Sequence, residues 1–226
     1  MKKLLMVAMA LIIACGASYA QEKSLNQLRK ERAELRKMTA KEFNTKATKA
    51  ARNEAKALKK EGWKVNPGTL PLEKQLDNSY LKQQEFDDDL FPKYIMADGK
   101  SIGESYEAAR AAAESLAKGT LAGRIQTEVA ALIENTIANK QLAPQEAASI
   151  VETVQSSKEL ITQSIGRTLP MVECYRELKK NGNIEVLIRI AYSEKMAKEA
   201  VKRAVRAELE KKGDDLHEKL DKALGL

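Results

Sequence analysis

The chain has 226 residues, 43% hydrophobic and 31% charged, with 39 Lys and Arg against 32 Asp and Glu and a formal net charge of +7. It holds two cysteines, Cys15 and Cys174, and one histidine, His217. Those counts exclude a fold held together by disulfides and a metal site built from several histidines, and they leave enough Ala, Leu, Ile and Val for one ordinary core.

Met1-Lys2-Lys3 precedes the apolar run 4–14, LLMVAMALIIA, and then CGASYA. A basic start, a short apolar stretch and small residues at its end predict a secretory signal peptide over 1–20. The run is too short for a finished transmembrane helix, which needs about 20 apolar residues, and no later segment approaches that length. Ser18-Tyr19-Ala20 suits cleavage before Gln21. Ile12-Ile13-Ala14-Cys15 is the alternative, a lipobox in which Cys15 is lipidated. Cleavage after Ala20 is preferred, because Ile stands where a lipobox usually has Leu. Cys174 is then the only mature cysteine. The expected location is the periplasm or outer membrane of a Gram-negative bacterium.

Residues 21–62 hold 13 Lys and Arg against 6 Glu, so the basic charge belongs to this segment. It lacks Pro and Gly before Gly62 and reads as a helical arm, about 60 Å long if continuous. A capping box at Thr39-Ala40-Lys41-Glu42, with Met38 and Phe43 as a staple, divides it in two. Gly62 reads as the C′ glycine of the second piece. The basic face suits an acidic partner protein or an anionic envelope surface. Export disfavours nucleic acid. A solvated helix with Lys and Arg outward and Ala inward is the plainer reading.

Residues 63–92 carry three of the five prolines and read as a connector anchored by Trp63. Pro71 opens a short helix with Leu72, Leu76 and Tyr80 on one face. The main domain spans 93–213. A strand at 93–97 leads to a helix from Ser105 to Asn139, striped by Ala113, Ala117, Leu121, Ile125, Val129 and Leu132. Another helix opens at Pro144, with Ala147, Val151, Val154, Ile161 and Ile165 on one face. The period then becomes two over 169–178 and 184–193, a hairpin around KKNGN.

A two-residue loop at Asn181-Gly182 would put Glu173 and Glu177 beside Ile184, Val186, Ile188 and Ile190. A three-residue loop places Val172, Cys174 and Leu178 there, pairs Lys179 with Glu185 and Tyr175 with Arg189, and is preferred on burial. Ser193 caps a last helix that ends near Gly213, and residues 214–226 read as a charged tail. The expected fold is α+β: a three-stranded antiparallel sheet with long helices on one face.

No stretch carries a catalytic, cofactor or metal signature. DGKSIGES, 98–105, has the Gly-Lys-Ser end of a phosphate loop, but Tyr94 stands where the first glycine is needed. It reads as a corner with Ser101 or Ser105 as N-cap. Gly119 and Gly123 read as a close-packing motif. Glu85 with Asp87-Asp88-Asp89 lacks the spaced ligands of a calcium loop. His217 stands alone in the tail, and Cys174 reads as a buried, inert thiol.

KYIMADGKSIGESYEAARAAAESLAKGTLAGRIQTEV, with the hairpin VECYRELKKNGNIEVLIRIAYS, resembles the LPP-twenty type of bacterial envelope lipoprotein domain. The shared pattern is a strand ending in a Gly-Ser turn, S-Y-E-A-A-R-A-A-A at the helix start, a late hairpin and a closing helix. It covers residues 93 to about 210, and a similar unit begins flagellar assembly protein T. The resemblance implies a noncatalytic structural or assembly domain of the envelope and supplies no functional residue. The expected function is an exported, noncatalytic envelope protein that binds a partner, with homo-oligomers compatible. A periplasmic hydrolase using two close carboxylates, or a binder of anionic lipid or lipopolysaccharide, are the alternatives.

Overall fold

The computed structural model describes residues 29–30, 33–34, 37, 45–87, 92–138, 142–213 and 215–225. The chain divides into two compact units, Met1–Lys46 and Ala47–Leu226. In the first, the described residues Arg29, Lys30, Ala33, Glu34 and Lys37 are helical and exposed. Segment 1–20 with Cys15, and the capping box at Thr39–Glu42 with its staple, lie outside the described residues.

The second unit is α+β. Its elements are α1 (Lys49–Lys60), α2 (Leu72–Gln83), β1 (Tyr94–Gly103), α3 (Tyr106–Ala138), α4 (Pro144–Ser156), α5 (Lys158–Ser164), β2 (Leu169–Glu177), β3 (Ile184–Ser193), α6 (Glu194–Lys212) and α7 (Leu216–Leu224). The three strands are antiparallel in the order β1-β3-β2.

Helices cover both faces of this sheet, where one covered face was expected. On the inner face, Ile95 and Ala97 of β1 and Val186, Ile188, Ile190 and Tyr192 of β3 meet the apolar stripe of α3 and the helices α4 to α7. On the outer face, Val172 and Cys174 of β2 meet Ala47, Ala51 and Ala55, together with Trp63, Leu72 and Leu76. Ala51 and Ala55, one turn apart, give α1 a narrow inward stripe that Ala47 extends before its start. The arm's second half is thus part of the folded unit, with Trp63 as an anchor only 4% exposed.

Cover on both faces explains the hairpin. Cys174 pairs with Leu187, Tyr175 with Val186, Arg176 with Glu185 and Glu173 with Ile188. Val172 and Cys174 therefore lie opposite the face they were expected to share with Ile188 and Ile190. The loop has four residues, 179–182: Leu178 N–H donates to Asn183 O at 2.8 Å, and Gly182 N–H donates to Leu178 O at 2.9 Å. Gly182 adopts φ +72°, which suits glycine. The rule that register follows the buried face assumed a single buried face, and this sheet has two.

Three further differences concern extent. β1 runs on through Asp98–Gly103, so most of DGKSIGES is strand and the corner is Glu104-Ser105. Ser105 Oγ accepts from Ala108 N–H at 3.2 Å and caps α3, as expected. The helix opened by Pro144 breaks at Ser157 into α4 and α5. Within the segment read as a charged tail, α7 buries Leu216, Leu220 and Leu224 in the inner core. Ser193 caps α6 through Met196 N–H at 3.4 Å, as read from the sequence.

Candidate functional site

α1 is fixed at both ends. Thr48 N–H donates to Asp77 Oδ1 of α2 at 3.0 Å, and Thr48 Oγ1 accepts from Ala51 N–H. At the other end Gly62 has φ +91°, with Gly62 N–H bonded to Lys59 O and Trp63 N–H to Leu58 O, both at 3.1 Å. That is a Schellman cap, completed by Leu58 and Trp63 in the same apolar cluster.

With Ala51 and Ala55 turned inward, α1 presents Arg52, Lys56, Lys59 and Lys60 along a groove of about 410 Å³, with Glu73 of α2 also lining it. Lys59 pairs with Glu73 at 2.8 Å and holds that carboxyl below its ordinary range. Among the described residues, Arg52, Lys56 and Lys60 have no carboxylate partner. They recur every four residues, so each neighbouring like-charge pair costs a few tenths of a kcal/mol. The helix C-terminus favours Lys59 and Lys60, but it does not reach Arg52 or Lys56. Chemically, the groove is a shallow cationic surface suited to carboxylates or phosphates.

A second polar cluster lies at the β2 edge. Glu173 accepts from the Tyr106 hydroxyl and from Arg110 Nε at 3.1 Å, while its backbone N–H donates to Gln75 Oε1 at 2.7 Å. Asn66 Nδ2 donates to the Tyr106 oxygen at 2.5 Å. Burial first, then Glu173, pushes the Tyr106 phenol up to about 12. A neutral phenol locked to a paired carboxylate is a poor base or nucleophile. The adjoining cavity is about 100 Å³. Preferring the other hairpin face concealed this cluster, although Tyr106 and Arg110 stand on one helix face.

One described carboxyl is pushed above its ordinary range. Glu128 is pushed up by desolvation and then by Glu194. Yet Glu194 pairs with Lys198 at 2.8 Å, and the cavity beside the pair is about 10 Å³, barely the space of one water.

The other candidates resolve individually. Burial pushes the Cys174 thiol up to about 12, which leaves it inert at neutral pH. His217 lies on α7, partly buried, with Nδ1 unpartnered. Glu85 pairs with Lys82 at 2.9 Å, whereas Asp88 and Asp89 lie outside the described residues. Gly119 and Gly123 are not close-packing positions: a Cβ on Gly119 meets nothing within 4 Å, and on Gly123 only the end of Lys158 at 3.7 Å. Close packing falls instead to Gly99 and Gly103 of β1, whose Cβ atoms would strike the α3 backbone at 2.0 and 2.7 Å.

Among the described residues, no group of three or more His, Cys, Asp or Glu could hold a metal ion. Nor is any described helix long and apolar enough to cross a membrane. Neither a family model, nor a curated protein, nor a solved structure matches the chain.

Proposed function

We propose that this chain is an exported, noncatalytic envelope protein that uses the α1–α2 groove to dock an acidic partner protein. The observation that carries the reading is Arg52, Lys56 and Lys60 in one row without carboxylates among the described residues. The fold gains nothing from that repeated charge, whereas an acidic partner relieves it. Export rests on the signal-like segment 1–20, and an envelope assembly role on the resemblance of residues 93 to about 210. The hydrolase alternative draws no support from Glu128 and Glu194, which have no room for a substrate between them.

Lysine-directed cross-linking in the native host tests the reading. The expected result is links from Lys56 or Lys60 to one acidic envelope protein. In an Arg52→Glu/Lys56→Glu/Lys60→Glu variant, which keeps Lys59 of the same groove, the yield of links from Lys59 to that protein drops on the order of tenfold. All three positions are exposed, so the variant keeps its fold. Links confined to the chain itself would overturn the proposal. So would salt-sensitive binding to anionic vesicles that the variant abolishes, which would transfer the groove to lipid.

A further inference from the structure

The two edges of the sheet are treated differently. The β2 edge is closed. Tyr175 exchanges both backbone bonds with Lys64, at 2.7 and 2.8 Å, Gln75 takes the N–H of Glu173, and the register shifts between Pro170 and Val172. The β1 edge is open. Glu194 N–H donates to Lys93 O at 3.0 Å, and the register to β3 is constant along β1. The odd-numbered residues of β1 therefore bond to β3, and the even-numbered ones aim their N–H and C=O groups outward. Arg124 Nη1, which donates to Met96 O at 2.5 Å, agrees with that parity. Among the described residues nothing meets the outward backbone groups of Asp98, Lys100 and Ile102. Their side chains are open too: Asp98 and Lys100 are exposed and Ile102 is 53% exposed, whereas α2 meets β1 at its start, with Lys82 over the Tyr94 ring.

We propose that this edge is a self-association site, on which a second copy of the chain adds its own β1 antiparallel to form a continuous six-stranded sheet. The choice of occupant rests on charge. Opposite charges stand two residues apart, so one register centred on Gly99 puts Asp98 against Lys100 of the second copy, and the reverse. The same register places Ile102 against Met96 of the second copy. Registers centred on Asp98 or on Lys100 oppose like charges and are disfavoured. Within each chain Arg189 grips Asp98 at 2.7 and 3.0 Å, and Glu185 holds Lys100 at 3.3 Å. The paired copies thus form a row of alternating sign across the junction, from Arg189 and Asp98 of one to Lys100 and Glu185 of the other. Lone charges on an edge strand ordinarily deter pairing, and this arrangement deters every partner strand but its own complement. The exposed side of α3 above β1 begins with Ala108, Ala111 and Ala112, small residues that let a second α3 lie alongside.

Sedimentation of the full chain, with Ile102→Pro as the variant, tests the site. Proline removes an outward N–H that the monomer does not use, so Tm holds while the dimer loses one ladder bond per copy, from Ile102 N–H to the lone pair of Met96 O that Arg124 leaves free. Self-association should weaken roughly 30-fold. In a second measurement on the unaltered sequence, light and isotopically heavy protein are mixed and treated with a zero-length carbodiimide. Peptides joining Asp98 of one isotope to Lys100 of the other are expected. A chain that stays monomeric up to its solubility limit would overturn the proposal. So would a dimer whose mixed-isotope links fall elsewhere, or one that Ile102→Pro leaves unchanged.

Discussion

At Gly99 and Gly119 the same residue type performs opposite work. A Cβ at Gly99 would lie 2.0 Å from Ala113 O and 2.5 Å from Ala117 N, both backbone atoms that cannot step aside. Gly99→Ala should therefore cost about 3 kcal/mol, the upper end of ordinary overpacking penalties, read as a fall in the urea midpoint. Gly119 sits inside α3 with open space around it. Gly119→Ala should stabilise by roughly 0.5–1 kcal/mol, because alanine restricts the unfolded chain and favours helix. Equal effects at the two positions would refute this account of β1 against α3. The sequence marked Gly119 and Gly123 by their spacing, yet spacing alone does not say which glycine faces a neighbouring backbone.

Among the elements, the long helices were legible because their periodicity is strong and their caps are local: α3 with Ser105 and α6 with Ser193 begin where the sequence places them. The hairpin was legible as a hairpin but not in its faces. One buried face was assumed, and covering the second reverses which alternate residues count as interior. α7 was missed as packed structure because nine residues rich in charge give a weak signal, and a helix this short is held by tertiary contact. Its three leucines are at most 6% exposed. Each contributes on the order of 2 kcal/mol by burial, out of a typical domain stability of roughly 5–15 kcal/mol. Ending the chain after Gly213 should therefore lower Tm sharply in a thermal melt. An unchanged Tm would mean that α7 only rests on the core.

For the whole molecule, the decisive feature is a sheet buried between two helical layers. A chain beginning at Ala47 keeps all of α1, whereas one beginning at Trp63 loses Ala47, Ala51 and Ala55 from the cluster that covers Val172 and Cys174. Burial holds the Cys174 thiol at about 12 in the fold, against an ordinary value near 9. A group raised in this way supports the fold fully below pH 9 and loses that contribution as pH climbs from 9 towards 12. At pH 8 the chain from Ala47 should leave Cys174 unreactive to a thiol reagent, and the chain from Trp63 should be modified readily. Slow modification of both would show that α1 does not seal the outer face. The sequence by itself determined the α+β class, the long helices with their caps, the basic segment and the absence of any recognisable catalytic motif, because periodicity, capping and charge are written locally. Only the tertiary structure decided that half of the basic segment is a structural layer, that Glu173 meets Tyr106 and Arg110, and that one sheet edge is closed and the other open. Those facts depend on which surfaces meet across long separations in the chain, and contacts of that kind leave no local pattern.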